Sequence, residues 1–245
     1  MNRFLQLTLL ALLANILAQA AHETGHMLAC HASRCEPTWG FIGLVQRWEA
    51  PPLHPENWLE FRAVDGDMGW LRLSRYPQGD LNQVIFSAAG PIAGMMATVL
   101  GLWLAQYKNS PTGLMFALVS SLSASLYYLR NPWRPYGDEY DIAVALGLPQ
   151  IAIVMFFALA FLACLGLALR RLPTWPERWL WLGTAFLGSL FSGLPLNLAD
   201  GWLREMVNLE NPFFLPVLGY SLPVLLTYLL AGFGLWLWNR SAIKI

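Results

Sequence analysis

The sequence predicts an all-α polytopic membrane protein of about six transmembrane helices, with a small β-hairpin insertion after the first helix. Its 245 residues are 56% hydrophobic and only 12% charged, whereas about a quarter of a soluble domain is charged. Uncharged stretches of spanning length also recur, and about 20 apolar helical residues cross a bilayer. These stretches are Phe4–Ala21, Leu81–Tyr107, Asn109–Leu129, Ile142–Leu169, Trp179–Ala199 and Phe213–Asn239.

The charge balance narrows the choice of partners. The chain has 15 basic and 15 acidic residues and a formal net charge of zero. A nucleic-acid-binding protein usually carries a basic stripe, so we expect the lipid bilayer and no nucleic acid as a partner. The basic residues are divided almost evenly between the two sides that six spans imply, so the positive-inside rule leaves the orientation open.

The long hydrophilic region 33–80 follows the first helix and predicts a β-hairpin. Leu59–Val64 and Gly69–Arg75 alternate apolar and polar residues, and Asp65-Gly66 between them is a strong turn sequence. Before the hairpin, Trp39–Trp48 is apolar enough for a further strand or a segment lying at the membrane interface. The hairpin is either a solvated cap over the helices or an edge that receives an extended peptide by strand addition.

The candidate catalytic and metal-binding residues lie at the end of the first apolar stretch, in the sequence His22-Glu23-Thr24-Gly25-His26. Histidines at positions i and i+4 share one helix face and can bind a single zinc ion. Glu23 beside them can act as general base toward a water molecule at the metal. The stretch before them ends in Ala18-Gln19-Ala20, as signal peptides do. We expect it to be retained, because the histidine pair needs that helix.

A catalytic zinc site needs a third protein ligand, which must lie at the same membrane level as the histidine pair. With six spans, the connections after the third and fifth helices return to that side. They contain two carboxylate-bearing segments, residues 131–141 and residues 197–201. The residue pattern alone does not choose between them.

The motif order resembles the site-2 protease family of intramembrane zinc metalloproteases. After His22–His26, the segment Ser87–Gly94 looks like the family's Ala-Gly-Pro motif, and Asn131, Pro135 and Asp138 look like its Asn…Pro…Asp-Gly motif. The resemblance covers residues 4–148 and implies a three-helix metalloprotease core.

The same resemblance assigns roles to individual residues. It implies one zinc ion per chain, with Asp138 as the third ligand beside the histidine pair and Asn131 holding substrate. The chain departs from the family pattern at Gly94, where Asn is usual, in the Asn131–Asp138 spacing, which is one residue short, and at Glu139, which replaces Gly. Asp200 and Asp141 therefore remain alternative third ligands.

These observations divide the chain into a predicted metalloprotease core, residues 1–148 with the hairpin region 33–80 inside it, and three further membrane helices of unassigned role in residues 149–245. The predicted activity is that of an intramembrane zinc metalloendopeptidase that cleaves transmembrane protein substrates within or near the bilayer. A multi-pass location is expected, in the plasma membrane if the source is prokaryotic. The alternative is a non-proteolytic zinc-binding membrane scaffold, or pseudo-protease, with the same site.

Overall fold

The computed structural model describes most of the chain. The described residues are 2–34, 38–43, 47–48, 58–62, 68–72, 80–130, 132–209, 211–214 and 216–240.

The structure is mostly helical, as predicted. In the described residues the α-helices are Arg3–Ala32 (α1), Asp80–Tyr107 (α2), Pro111–Arg130 (α3), Asp138–Leu146 (α4), Gln150–Arg170 (α5), Trp175–Asn208 (α6) and Leu222–Arg240 (α7). All of them except the short α4 are long and apolar enough to cross a membrane. Six candidate spans agree with the predicted number and with a multi-pass membrane protein.

Several helix boundaries differ from the predicted ones. Helix α6 continues to Asn208, past the predicted end at Ala199, so Asp200 lies inside the helix. Helix α1 continues to Ala32, so the histidine motif lies inside the helix and not at its end. The apolar stretch Ile142–Leu169 is divided between α4 and α5, because Gly147 ends α4 in a left-handed conformation (φ 64°) and Pro149 precedes α5. The last helix begins at Leu222, because the residues just before it form two short paired strands.

Two small sheets accompany the helices. Strands Arg47–Trp48 (β1), Trp58–Arg62 (β2) and Met68–Arg72 (β3) form an antiparallel sheet in the order β1-β3-β2. The predicted hairpin is thus confirmed in the pairing of β2 with β3, while its Asp65-Gly66 turn lies outside the described residues. Pro216–Val217 (β4) and Tyr220–Ser221 (β5) form a ribbon just before α7, and Trp39 joins it through a parallel bridge to Tyr220.

Helix α1 lies at the centre of the bundle and packs against α2, α3, α6 and α7. Glycines allow two of these contacts to be close. A Cβ atom at Gly25 of α1 would overlap the backbone of Ala89 in α2, and one at Gly188 of α6 would overlap the backbone of Leu12 in α1. The close approach of α1 and α2 brings the histidine motif against the backbone of α2.

Candidate metal centre

Three potential metal ligands converge between α1 and the start of α4. The Nε2 atoms of His22 and His26 lie 3.1 Å apart, one helical turn from each other on α1. The Oδ2 atom of Asp138, the first residue of α4, lies 3.4 Å from His22 Nε2 and 3.2 Å from His26 Nε2. The structure therefore brings together the three residues that the family resemblance implies as ligands.

The chemistry and spacing of this triad fit zinc. Zinc is typically bound by His nitrogen and carboxylate oxygen at about 2.0–2.2 Å, so its ligand atoms lie about 3.3–3.5 Å apart in a tetrahedral site. The three measured separations, 3.1 to 3.4 Å, are close to that value. Three protein ligands also leave the fourth position open, which distinguishes catalytic from structural zinc sites.

Helix α2 orients His26. The Nδ1 atom of His26 lies 2.7 Å from the backbone carbonyl oxygen of Phe86, which can only accept a hydrogen bond. Donation from Nδ1 leaves the Nε2 lone pair free for a metal, the arrangement that metal-binding histidines commonly show. Gly90 makes room for the ring, because a Cβ atom there would overlap the His26 imidazole.

The segment that carries Asp138 is held by a buried ion pair. Glu139 is 1% exposed and accepts hydrogen bonds from Arg134 Nε at 2.8 Å and Nη2 at 2.5 Å. The guanidinium group also stacks on the Tyr127 ring, 3.6 Å from its centroid. Gly137 has φ 101°, and a Cβ atom there would lie 3.0 Å from the Tyr127 hydroxyl. Glu139, which departs from the family motif, therefore makes a specific contact here.

The electrostatics of Asp138 favour its role as an anionic ligand. Burial opposes ionisation, but the adjacent imidazoles of His26 and His22 hold the pKa of the Asp138 carboxyl well below its usual range. By contrast, burial raises the pKa of Glu139, an effect that the Arg134 guanidinium opposes. A carboxylate oxygen beside two imidazole nitrogens is a ligand set that zinc can use.

Glu23 is buried beside the triad and both of its carboxylate oxygens have a donor. Gln19 Nε2 donates to Oε1 at 2.6 Å, and the indole Nε1 of Trp39 donates to Oε2 at 2.5 Å. Glu23 is 3% exposed and Trp39 is 1% exposed. The side chain is thus held in one orientation, away from bulk solvent.

The two alternative third ligands, Asp200 and Asp141, contact groups outside the triad. Asp200 Oδ1 accepts a hydrogen bond of 2.6 Å from the backbone N–H of Phe41, and its Oδ2 lies 3.5 Å from Arg204. Asp141 lies one turn along α4, with its Oδ2 3.5 Å from the Ser87 hydroxyl. Neither joins the triad in the part of the chain that the structure describes. The predicted substrate-binding residue Asn131 lies outside that part.

Sequence reasoning did not assign several residues that hold this site. Trp39 was expected only as part of a strand or an interfacial segment, and Phe86 acts through its backbone, which leaves no trace in residue type. Arg134 lies within the Asn131–Asp138 motif, where an arginine five residues before a glutamate is the signal that could have suggested the ion pair.

The chain has no significant match among protein-family models, curated proteins or solved structures. The resemblance to the site-2 protease family is carried by the motif residues themselves.

Proposed function

We propose that the protein is an intramembrane zinc metalloendopeptidase. The observation that carries the proposal is the convergence of His22, His26 and Asp138 at ligand spacing, with the buried carboxylate of Glu23 on the same turn of α1. Within membrane helices, a group of ionisable residues is costly and is usually retained for function.

His22, His26 and Asp138 would hold the zinc ion and Glu23 would move the proton. Bound zinc supplies Lewis acidity, which acidifies water and polarises a peptide carbonyl. Glu23 accepts the proton of the attacking water and delivers it to the amide nitrogen as the carbon–nitrogen bond breaks. The hydrogen bonds from Gln19 and Trp39 keep the Glu23 carboxylate oriented for both transfers.

The substrates we propose are membrane-spanning proteins cut within or near the bilayer. A peptide must be extended before hydrolysis, because helical carbonyl groups are occupied by internal hydrogen bonds. Strand β2 lies at the outer side of its sheet in the order β1-β3-β2, and an edge strand can hold an extended peptide through backbone hydrogen bonds.

The test combines metal content with a search for cleavage products. Zinc per chain is measured in detergent-purified protein for the parent, His22→Ala, Asp138→Asn, Glu23→Gln and the matched control Asp141→Asn. Cells producing the parent or Glu23→Gln are then compared for new protein termini in their membrane fraction. We expect about one zinc per chain, lost in His22→Ala and Asp138→Asn and kept in Asp141→Asn and Glu23→Gln.

Two outcomes would decide against the proposal. No zinc in the parent after zinc is supplied would remove the enzyme mechanism. Normal zinc with the same membrane-protein termini in parent and Glu23→Gln cells would instead favour the zinc-binding scaffold.

A further inference from the structure

Residues 38–43, here called the Trp39 segment, reach the candidate metal centre through the side chain of Trp39. The Trp39 indole Nε1 donates its hydrogen bond to Glu23 Oε2. The indole ring also stacks on the His26 imidazole, with a centroid distance of 6.0 Å and an interplanar angle of 16°. One side chain from outside the helices thus contacts both the proposed base and a proposed ligand.

The hydrogen bond from Trp39 restricts the orientation of the Glu23 carboxylate but leaves some of its acceptor positions unoccupied. A carboxylate has about four acceptor positions, and Gln19 and Trp39 each take one, on different oxygens. Two donors on the two oxygens fix the plane of the carboxylate and leave lone pairs for a water molecule. This arrangement is that of a base held in a single orientation by neighbouring groups.

The C-terminal half of the chain holds the Trp39 segment in place. The N–H of Trp39 donates to the Gly219 carbonyl at 2.7 Å, and the Ser221 N–H donates to the Trp39 carbonyl at 3.1 Å. Asp200 of α6 accepts from the Phe41 N–H, and Tyr228 of α7 donates to the Phe41 carbonyl at 3.2 Å. The backbone on both sides of Gly40 is therefore anchored by residues beyond the predicted metalloprotease core.

Among these anchoring residues, Asp200 carries the largest energetic cost of burial. It is 1% exposed on a membrane helix, where a buried carboxylate is costly unless it is paired. Its Oδ1 atom takes up the Phe41 backbone N–H, and Arg204 one turn along α6 lies beside its Oδ2. A purely apolar residue would pack against the segment but would leave that N–H without an acceptor.

We propose that Trp39 is a positioning residue that orients Glu23 for proton transfer, and that α6 supplies this function through Asp200. The inference rests on the proposed function and deepens it, because it gives the C-terminal helices a role in catalysis. Neither residue is proposed to touch substrate or metal.

The first measurement tests the contact without any need for activity. In the purified full chain with ¹⁵N-labelled tryptophan, the Trp39 indole resonance is identified by its disappearance in Trp39→Phe. We expect Glu23→Gln to shift that resonance, because a neutral amide accepts a weaker hydrogen bond than a carboxylate. Asp141→Asn, the control, should leave it in place. An unshifted resonance in Glu23→Gln overturns the proposal.

The second measurement uses a membrane-protein substrate found by the comparison of termini above. Trp39→Phe keeps an aromatic ring and removes the donor, so kcat should fall about tenfold or more at unchanged KM and unchanged zinc content. Trp236→Phe, at an exposed position on α7, is the matched control and should keep the parental kcat. A parental kcat in Trp39→Phe would overturn the proposal.

Asp200→Leu removes the acceptor of the Phe41 N–H and leaves Trp39 intact, so it provides an independent variant if Trp39→Phe does not fold. It should shift the Trp39 resonance and lower kcat while zinc content stays normal. Loss of zinc in Asp200→Leu would make Asp200 a ligand and overturn its assigned role. If the resonance shifts as expected but no substrate is found, the Trp39–Glu23 contact is supported and the proposed function is not. Failure of the contact and failure of the proposed function therefore give different results.

Discussion

The Nδ1 atom of His26 lies 2.7 Å from the backbone carbonyl oxygen of Phe86, 60 residues further along the chain. This contact couples the α1 motif to the α2 motif, because α2 thereby sets the tautomer and the ring direction of a proposed ligand. Since the acceptor is a backbone atom, no side-chain substitution at Phe86 removes it. The neighbouring glycine offers the way to test it.

Gly90→Ala should weaken zinc binding about tenfold or more, because the new methyl group would overlap the His26 imidazole and rotate it from its place. Alanine is a better helix former than glycine by about 1 kcal/mol, so the loss would not come from a weaker α2. Zinc affinity is measured by competition with a chromophoric chelator.

Gly94→Ala is the matched control for that experiment. It lies one turn further along α2, where an added Cβ would be 3.9 Å from His22, an ordinary contact distance. Zinc affinity should therefore stay within about twofold of the parent. Equal affinities in Gly90→Ala and Gly94→Ala would show that the Phe86–His26 geometry does not control the site.

The histidine pair was predictable from sequence because its spacing is a local property of the helix. Positions i and i+4 share a face wherever α1 ends, so the prediction did not depend on how far the helix continues past the motif. Asp138 required the family resemblance, since helix parity alone left the segment with Asp200 equally suitable. The structure now brings Asp138 to the pair and Asp200 to the backbone of Phe41.

Other features were not predictable because they depend on tertiary contacts. Trp39 contacts Glu23 in a segment that also contacts Tyr220 and Asp200, both far along the chain. By contrast, the division between α4 and α5 has a sequence signal, because Gly147 followed by Pro149 is typical of a helix end, although the hydropathy of the stretch is continuous. Apolar composition predicts that a membrane span exists more reliably than it predicts the residues at which the helix begins and ends.

Arg134→Met should destabilise the protein by about 3 kcal/mol or more, because it leaves the Glu139 carboxylate buried without its partner. Zinc affinity should fall as well, since Glu139 is adjacent to Asp138 and its ion pair holds the start of α4. Stability is measured by unfolding in mixed detergent micelles, and zinc affinity by chelator competition.

The double substitution Arg134→Met with Glu139→Leu separates charge burial from packing. Replacing both members of a buried pair by apolar residues is often close to neutral, so it should recover most of the stability lost in Arg134→Met. A double variant as unstable as the single one would mean that the charge of Glu139 is not the cause.

Proline substitutions in β2 test whether this outer strand binds substrate. Neighbouring residues of a strand direct their N–H groups to opposite edges. One of Leu59→Pro and Glu60→Pro therefore removes a donor from the edge that faces away from β3, while the other breaks the ladder with β3. If strand addition holds the peptide, the variant at the outer edge should lose turnover at normal zinc content. Parental turnover in both variants would remove strand addition from the mechanism.

A polar cluster within the bundle should stabilise the fold without taking part in catalysis. Asn15 of α1 donates to Ser192 of α6 at 2.8 Å and accepts from Ser123 of α3 at 3.3 Å. It lies seven residues before His22, about 10 Å along the helix. Interhelical hydrogen bonds in membranes contribute about 0.6 kcal/mol on average and up to about 1.7 kcal/mol.

Asn15→Leu should therefore lower the free energy of unfolding by about 1–2 kcal/mol while zinc content and turnover stay at parental values. Thr227→Val is the control, because the Thr227 hydroxyl bonds only to the Pro223 carbonyl of its own helix in the described contacts, and its removal should cost less. Unfolding in mixed detergent micelles gives both values. If Asn15→Leu instead abolished turnover with zinc still bound, the cluster would belong to the catalytic apparatus, because a bond that only joins helices has no means of changing proton transfer about 10 Å away.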